Sequence, residues 1–180
     1  MNLRDSVIIV TGSATGLGSA IVKQVAAKGA RVVINYTKSE KEAHETEAVC
    51  DYLGVESILC KADVSVDDDC RRMANEAIEK WGRIDCLVNN AARSVFANSK
   101  DLEALAGQQF MDVFSVNVVG PYQMARAVSP HMKARGHGSI VNISSIAAQT
   151  GAGSSIAYAA SKGALNTMTL SLARSLAPEI

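Results

Sequence analysis

Short apolar runs alternate along the chain with longer segments in which apolar residues recur at helical spacing. Residues 7–10 are all Val or Ile, which indicates a strand buried on both faces. Residues 17–28 carry Leu17, Ile21 and Val25 on one helix face. The predicted strands are residues 7–10, 31–35, 56–60, 86–88 and 140–143, and the predicted helices are residues 17–28, 39–53, 65–81, 108–135 and 158–176.

Strict alternation of strand and helix predicts right-handed βαβ units on a parallel sheet. We therefore expect an α/β fold, a doubly wound parallel sheet covered by helices on both faces, in three layers. With 180 residues and no linker, repeat or low-complexity stretch, the chain should form one domain. The Gly/Ser/Thr-rich residues 149–155 are interpreted as a loop beside a functional site.

Several helix ends carry local signals. Ser39 followed by Glu42 has the form of a capping box, and Ser65 is expected to cap the helix that ends near Gly82. Pro121 lies inside the predicted helix 108–135 and should be tolerated there at a kink.

Charge and composition narrow the possible functions. Lys and Arg number 18 and balance 18 Asp and Glu, so nothing favours nucleic acid as a partner. No segment approaches the length needed to span a bilayer. The four cysteines and three histidines show no metal-ligand spacing, and we expect reduced thiols and no metal site. These features predict a cytoplasmic protein with no membrane partner.

A glycine-rich loop, residues 11–18, joins the first strand to the first helix. There Gly12 permits a tight turn, Gly16 lets the backbone approach a pyrophosphate, and Gly18 allows close packing of helix on strand. The helix N-terminus offers N–H groups and a positive dipole end to phosphates. The loop predicts a dinucleotide site, as in a Rossmann fold, and a glycine-rich turn without a ligand is the alternative.

The end of the second strand bears on which cofactor is bound. Proteins that prefer NAD usually have a carboxylate there to hold the ribose 2′-hydroxyl. This chain has Tyr36, Thr37, Lys38 and Ser39 instead, with no acidic group to repel a 2′-phosphate. We therefore favour NADP(H) over NAD(H), although Lys38 alone is also explained as a solvated loop charge.

Three polar side chains are expected to meet at the carboxyl ends of the strands. Tyr158 and Lys162 stand at i and i+4 of the last helix and so share one face, and Ser145 follows the fifth strand. A phenol is a weak base at neutral pH, and a nearby ammonium favours its deprotonated form. Tyr158 is then suited to general acid–base catalysis, and Ser145 to hydrogen bonding a substrate oxygen.

The combined motifs resemble those of the short-chain dehydrogenase/reductase family over residues 6–179. Residues 11–18 resemble its TGxxxGxG loop, and residues 89–92 resemble its NNAG motif. Asp63 stands where the family contacts the adenine ring. The residues that we expect to contact the cofactor are Gly12, Ser13, Thr15, Gly16, Leu17, Gly18, Tyr36, Thr37, Lys38, Ser39, Asp63, Val64, Asn90, Ala91, Ala92, Tyr158 and Lys162.

The catalytic part of the resemblance lies in the second half of the chain. Tyr158 and Lys162 match the family's YxxxK motif, and Ser145 matches its catalytic serine. Asn117 matches the helix asparagine that the family uses in proton relay. The resemblance implies hydride transfer between a nicotinamide cofactor and a carbonyl or alcohol of a small molecule.

The chain departs from the family pattern in two ways. Ala92 replaces the last glycine of NNAG, and Arg93 follows it, facing either the substrate pocket or solvent. The family's strand-helix-strand block after the YxxxK helix is missing. We therefore expect a fragment of a longer protein, or else a natural truncation, in which the fifth strand is left as a sheet edge with exposed apolar surface.

Two functions follow from this comparison. The first is an NAD(P)-dependent oxidoreductase with tyrosine as acid and base. The alternative is a non-catalytic nucleotide-binding or scaffolding protein that lacks the substrate region. The family implies a homodimer or homotetramer formed through the two long helices, with a contact face supplied by Ala164, Leu165, Met168 and Leu172 or with these residues facing their own subunit.

Overall fold

The five strands form one parallel sheet in the computed structural model, which describes residues 3–98 and 100–180. The strand order is β3-β2-β1-β4-β5, so the chain winds outward from β1 and then crosses back to β4. The strands are β1 (Val7–Val10), β2 (Arg31–Tyr36), β3 (Ser57–Lys61), β4 (Cys86–Asn89) and β5 (Ser139–Asn142). The reversal of direction between β1 and β4 opens a crevice at their carboxyl ends, where ligands of such sheets bind.

Side chains of alternate residues in β1 are buried on opposite faces of the sheet. Val7 and Ile9 join a core with the third and fifth helices, while Ile8 and Val10 join a core with the first two. The helices are α1 (Gly16–Ala26), α2 (Glu40–Tyr52), α3 (Asp67–Trp81), α4 (Gly107–Phe114), α5 (Gly120–Ala134), α6 (Ala147–Thr150) and α7 (Ile156–Leu176). The predicted three-layer, doubly wound fold is therefore confirmed.

The helix predicted over residues 108–135 is in fact three segments. After α4, Ser115–Val119 form a π-helical turn before α5 begins, and the N–H of Gly120 donates to the carbonyl of Ser115. Pro121 explains the interruption, because a helical proline lacks an N–H and clashes with the carbonyl four residues earlier, here that of Asn117. Widening the turn relieves this clash.

Ser39 stands at the N-cap of α2 as predicted, but the predicted capping box does not form there, and the predicted cap at Ser65 is wrong. Ser39 makes no capping hydrogen bond, because its backbone is not in the extended conformation that a capping serine usually has. Ser65 uses its hydroxyl in the preceding turn, donating to the Asp63 carboxylate over 2.7 Å, and α3 begins only at Asp67. The short helix α6 and a 3₁₀ turn at Leu102–Ala104 lie where the pattern indicated loops.

The last strand, β5, was predicted to be an edge of the sheet, and the last helix, α7, was predicted to contain residues that either contact another subunit or face their own. β5 pairs only with β4 among the described strands, and its Val141 is 42% exposed, as expected of an edge strand. Leu165 is buried within its own subunit, which is the second of the two alternatives given for that set of residues. None of the helices in residues 3–98 and 100–180 has the length and apolarity needed to cross a bilayer.

A buried carboxylate ties the elements together at the opposite end of the sheet from the crevice. Asp85 accepts hydrogen bonds from the Val7 N–H at 2.8 Å, from Arg83 at 2.6 and 2.8 Å, and from Arg135 at 3.0 Å. Burial alone raises the pKa of the Asp85 carboxyl, but the Arg83, Val7 and Arg135 hydrogen bonds outweigh it and hold the pKa below its ordinary value.

We predict that Asp85→Asn lowers the free energy of unfolding by about 2 kcal/mol at pH 7, because charge-assisted hydrogen bonds are lost. Since folding lowers the pKa of Asp85, its contribution is present above the unfolded-state pKa and is lost as the pH falls through the folded-state value. The stability difference between wild type and variant should therefore be constant above about pH 5 and shrink below about pH 4. Urea unfolding across this range measures it, with Asp51→Asn on the exposed face of α2 as the control. A difference that persists unchanged at pH 3 would contradict this assignment.

Candidate active site

The loop between β1 and α1 forms the floor of the crevice. Gly12 and Gly16 both adopt left-handed backbone conformations, with φ values of 60° and 55°. Thr15 precedes α1 without a side-chain capping hydrogen bond, so the N-terminus of the helix is available to an external anion. A Cβ at Gly16 would meet nothing within 4 Å, so this stretch of backbone is open to the cleft.

Close packing around the loop accounts for the other glycines. A Cβ at Gly18 would lie 2.8 Å from Ser13 Cα and collide with Gly12 O, and one at Gly12 would lie 2.8 Å from Ala91 Cα. The Asn90 side chain locks this arrangement by donating to Thr11 O at 2.9 Å and Gly12 O at 3.0 Å. The loops after β1 and β4 therefore form one wall, with no room for a larger residue at Gly12 or Gly18.

Asn35, at the end of β2, is a binding-site residue that the sequence analysis missed. Its Oδ1 accepts from the Gly12 N–H at 2.9 Å, and its Nδ2 donates to the carbonyls of Ala62 and Cys60. This single buried amide connects the glycine loop to β2 and to the end of β3. The available signal was an asparagine in an otherwise apolar strand, because buried polar groups require partners.

The cleft has a volume of about 770 Å³, within the range of small-molecule and cofactor sites. The predicted cofactor residues that line it are Gly12, Thr15, Gly16, Leu17, Gly18, Tyr36, Thr37, Lys38, Ser39, Asp63, Val64, Asn90, Ala91 and Ala92. Residues that line it without having been predicted as cofactor contacts are Ala14, Asn35, Ala62, Arg93 and Val116.

Tyr158 and Lys162 are predicted cofactor contacts that do not line the cleft, and a third is Ser13 of the glycine loop. Its side chain is fully buried, its Oγ donates to Val10 O at 2.7 Å, and the same oxygen accepts from the Asn35 N–H at 2.9 Å. The hydroxyl is therefore committed to holding the loop against β2, and its prediction as a cofactor contact is not supported by its position.

Tyr158 and Lys162 come together at the start of α7. Ser155 caps this helix, its Oγ accepting from the Tyr158 N–H at 3.2 Å. The Lys162 ammonium lies 5.8 Å from the centre of the Tyr158 ring. Lys162 is only 3% exposed and donates to the Ile143 carbonyl at 2.7 Å, just beyond β5. Burial lowers the pKa of Lys162.

Ser145 lies in the turn between β5 and α6. Its Oγ accepts from the Ala147 N–H at 3.1 Å, and among the described residues no hydrogen bond joins it to Tyr158. Both side chains are partly exposed, and the hydroxyl of Ser145 still has its own proton to donate. Each of the two hydroxyl groups is therefore chemically suited to hydrogen bonding an oxygen atom of a substrate.

Asn117 is fully buried in the π-helical turn and connects two walls of the site. Its Oδ1 accepts from the Arg93 N–H at 2.7 Å, and its Nδ2 donates to Arg93 O at 2.9 Å and to Ser161 Oγ at 3.0 Å. Ser161 Oγ in turn donates to the Tyr158 carbonyl at 2.7 Å. The amide thus fixes the loop after β4 relative to the first turn of α7.

Comparison with known proteins agrees with this geometry. The model of the short chain dehydrogenase family matches residues 6–180. The chain belongs to that family. A candidate ketoacyl reductase of the granaticin polyketide synthase of Streptomyces violaceoruber is 38% identical to this short-chain dehydrogenase over 174 residues, which are 97% of this chain and 68% of the relative.

Two solved structures of the family differ in the cofactor that they contain. A metagenomic short-chain oxidoreductase in complex with NADP has a TM-score of 0.90 and 32% identity, with 98% of this chain and 78% of that one covered. An NAD⁺-bound xylitol dehydrogenase also has a TM-score of 0.90, with 29% identity and 99% and 67% covered. The family thus consists of oxidoreductases that use a nicotinamide cofactor on small alcohols or carbonyls.

The cleft of this short-chain dehydrogenase fits such a cofactor. Gly16 presents open backbone at the start of α1, and the cleft runs from there to Lys38 on one side and to Ala92 on the other. Glycine backbone and a helix N-terminus suit a pyrophosphate.

Proposed function

We propose that this short-chain dehydrogenase is an NADP(H)-preferring oxidoreductase that interconverts a carbonyl and an alcohol, with Tyr158 as the general acid and base. The observation that carries the proposal is the burial of Lys162 beneath the Tyr158 ring. A buried ammonium is costly, and here one carbonyl hydrogen bond and a nearby phenol accompany it.

Each polar group then has one task. The bound nicotinamide supplies or accepts the hydride. In reduction, the Tyr158 hydroxyl donates a proton to the substrate oxygen as negative charge develops there, and in oxidation it takes that proton back. Ser145 donates a hydrogen bond to the same oxygen. The Lys162 ammonium, 5.8 Å from the centre of the Tyr158 ring, stabilises negative charge that develops on the phenol oxygen as the proton is transferred, and Asn117 keeps the surrounding loops in place.

The preference for NADP(H) rests on the loop after β2. Lys38, Thr37 and Ser39 line the cleft there, and Asn35 uses its amide within the fold rather than on a ribose. Among the residues that line the cleft after β2, Tyr36, Thr37, Lys38 and Ser39, none is a carboxylate that accepts the 2′-hydroxyl of NAD or repels a 2′-phosphate. The first carboxylate along the chain is that of Glu40, at the start of α2.

We predict that Lys38→Ala raises the Kd for NADPH about tenfold and leaves the Kd for NADH unchanged, because one charge-assisted contact to the 2′-phosphate is lost. Titration of the fluorescence of each reduced cofactor measures both constants. Lys41→Ala removes another lysine side chain, exposed in the first turn of α2, and should change neither constant. If Lys38→Ala raises the Kd values for NADPH and NADH equally, Lys38 does not contact the 2′-phosphate.

The reaction itself is tested by following NADPH and NADH oxidation with a panel of four carbonyl classes: simple ketones, sugars, β-ketoacyl thioesters and steroid ketones. We expect turnover of at least one class, and faster turnover with NADPH than with NADH. If NADPH binds but no class is reduced, and the corresponding alcohols are not oxidised with NADP⁺, the protein is a non-catalytic nucleotide-binding protein instead.

A further inference from the structure

Arg93 is a basic residue of the cleft to which the proposed reaction gives no role. Among the described residues that line the cleft, two are basic: Lys38, in the loop after β2, and Arg93, in the loop after β4. The one acidic residue of that lining, Asp63, already accepts from the N–H and hydroxyl of Ser65. The unexplained charge in the cleft is therefore that of Arg93.

The backbone of Arg93 is held firmly in the wall of the cleft. Asn117 bonds both its N–H and its carbonyl, at 2.7 and 2.9 Å, and Asn117 itself is fully buried. Three residues earlier, Asn90 is bonded to the carbonyls of Thr11 and Gly12 in the glycine loop. The root of the Arg93 side chain is thus fixed close to the loop that is suited to a pyrophosphate.

The guanidinium of Arg93 is held by a partner that it can leave. Its Nη2 lies 3.0 Å from Asp112 Oδ2, in an ion pair whose side chains are 51% and 32% exposed. Arg93 lines the cleft and Asp112 does not, so the pair lies at the cleft rim. Asp112 also accepts from Gln108 at 2.9 Å and so keeps a partner if Arg93 moves away.

The relative strengths of the two interactions favour an exchange. An exposed ion pair contributes little, because solvent screens it and ordering two side chains costs entropy. A guanidinium matches a phosphate with two parallel hydrogen bonds, which are charge-assisted on both sides. A phosphate placed between the glycine loop and the β4 loop is therefore a better partner for Arg93 than Asp112 is.

We propose that Arg93 binds the pyrophosphate of the cofactor, leaving Asp112 when the nucleotide enters the cleft. The sheet order places the β4 loop next to the glycine loop, whereas Lys38 follows β2 on the other side of β1. Arg93 therefore contributes to the affinity for both nicotinamide cofactors, while Lys38 serves the 2′-phosphate. This inference rests on the nucleotide-binding part of the proposed function and is independent of the catalytic part.

The test compares the Kd values of NADPH and NADH for Arg93→Gln with those for wild type. We expect both constants to rise about tenfold, because the pyrophosphate is common to the two cofactors. Arg71→Gln is a matched control, since Arg71 is also 51% exposed and also pairs with a 31% exposed aspartate, Asp67, but lies outside the cleft lining. Asp112→Asn should leave both Kd values unchanged or lower, because it removes the competing partner.

Each outcome decides between the possibilities. If Arg93→Gln and Arg71→Gln give the same Kd for NADH, Arg93 does not bind the pyrophosphate and the inference is wrong. If Arg93→Gln weakens NADPH alone, Arg93 reads the 2′-phosphate and the inference is equally wrong. If wild type binds both cofactors but catalyses no reaction, only the catalytic proposal fails. If wild type binds neither cofactor, both proposals fail.

Discussion

Tyr158→Phe is expected to lower the rate of carbonyl reduction about 10³-fold while the Kd for NADPH stays within about twofold of wild type. The substitution removes the only proton that the side chain can donate, and it keeps the ring that lies 5.8 Å from the Lys162 ammonium. The Tyr158 N–H still bonds to Ser155, so the start of α7 should be unchanged. Stopped-flow or steady-state oxidation of NADPH, together with a fluorescence titration, separates the two effects.

A second tyrosine gives the control for this experiment. Tyr122 is 48% exposed on α5, away from the cleft lining, and Tyr122→Phe removes the same hydroxyl group. We expect its rate and its Kd to equal those of wild type. If Tyr158→Phe retains more than about a tenth of the wild-type rate, the proton comes from another group and the assigned role of Tyr158 is refuted.

The sheet could be predicted from the sequence because parallel strands covered on both faces are continuous apolar runs. Residues 7–10 illustrate this, since all four side chains are buried in two different cores. The glycine loop could also be predicted, because Gly12 and Gly18 occupy positions where the structure leaves no room for a Cβ. Both features could be predicted because burial and the lack of room for a Cβ restrict the identity of the very residues that form the strand and the loop.

The features that could not be predicted depend on contacts between distant segments. The π-helical turn at Ser115–Val119 contains three valines that continue the apolar pattern of the predicted helix, so only Pro121 signalled it. Serine is a common capping residue, but the hydroxyl of Ser65 donates a hydrogen bond to the neighbouring Asp63 carboxylate instead of capping the helix. The placement of Arg93 required the positions of Asn117 and Asp112, which lie 24 and 19 residues away along the chain.

Gly18→Ala is expected to weaken cofactor binding at least about 100-fold and to lower the free energy of unfolding by about 2–3 kcal/mol. Its Cβ would stand 2.8 Å from Ser13 Cα and collide with Gly12 O, both of which are backbone atoms that no rotamer change can move. The loop must therefore shift as a whole, and with it the Asn90 bonds that hold the β4 loop. Urea unfolding and NADPH titration report the two effects.

Substitutions at two further glycines distinguish the loss of stability from the loss of cofactor binding, which are combined at Gly18. Gly54, in the turn before β3, has a φ of 70°, and Gly16 has a φ of 55°. A Cβ added at either glycine would have no other atom within 4 Å. Replacing either by alanine should cost about 1–2 kcal/mol of stability from the left-handed backbone alone. Only Gly16→Ala should also weaken NADPH, because its Cβ would occupy the place proposed for the pyrophosphate. Wild-type affinity in Gly16→Ala would show that the phosphates bind elsewhere in the cleft, and wild-type affinity in Gly18→Ala would show that the loop can widen without losing the site.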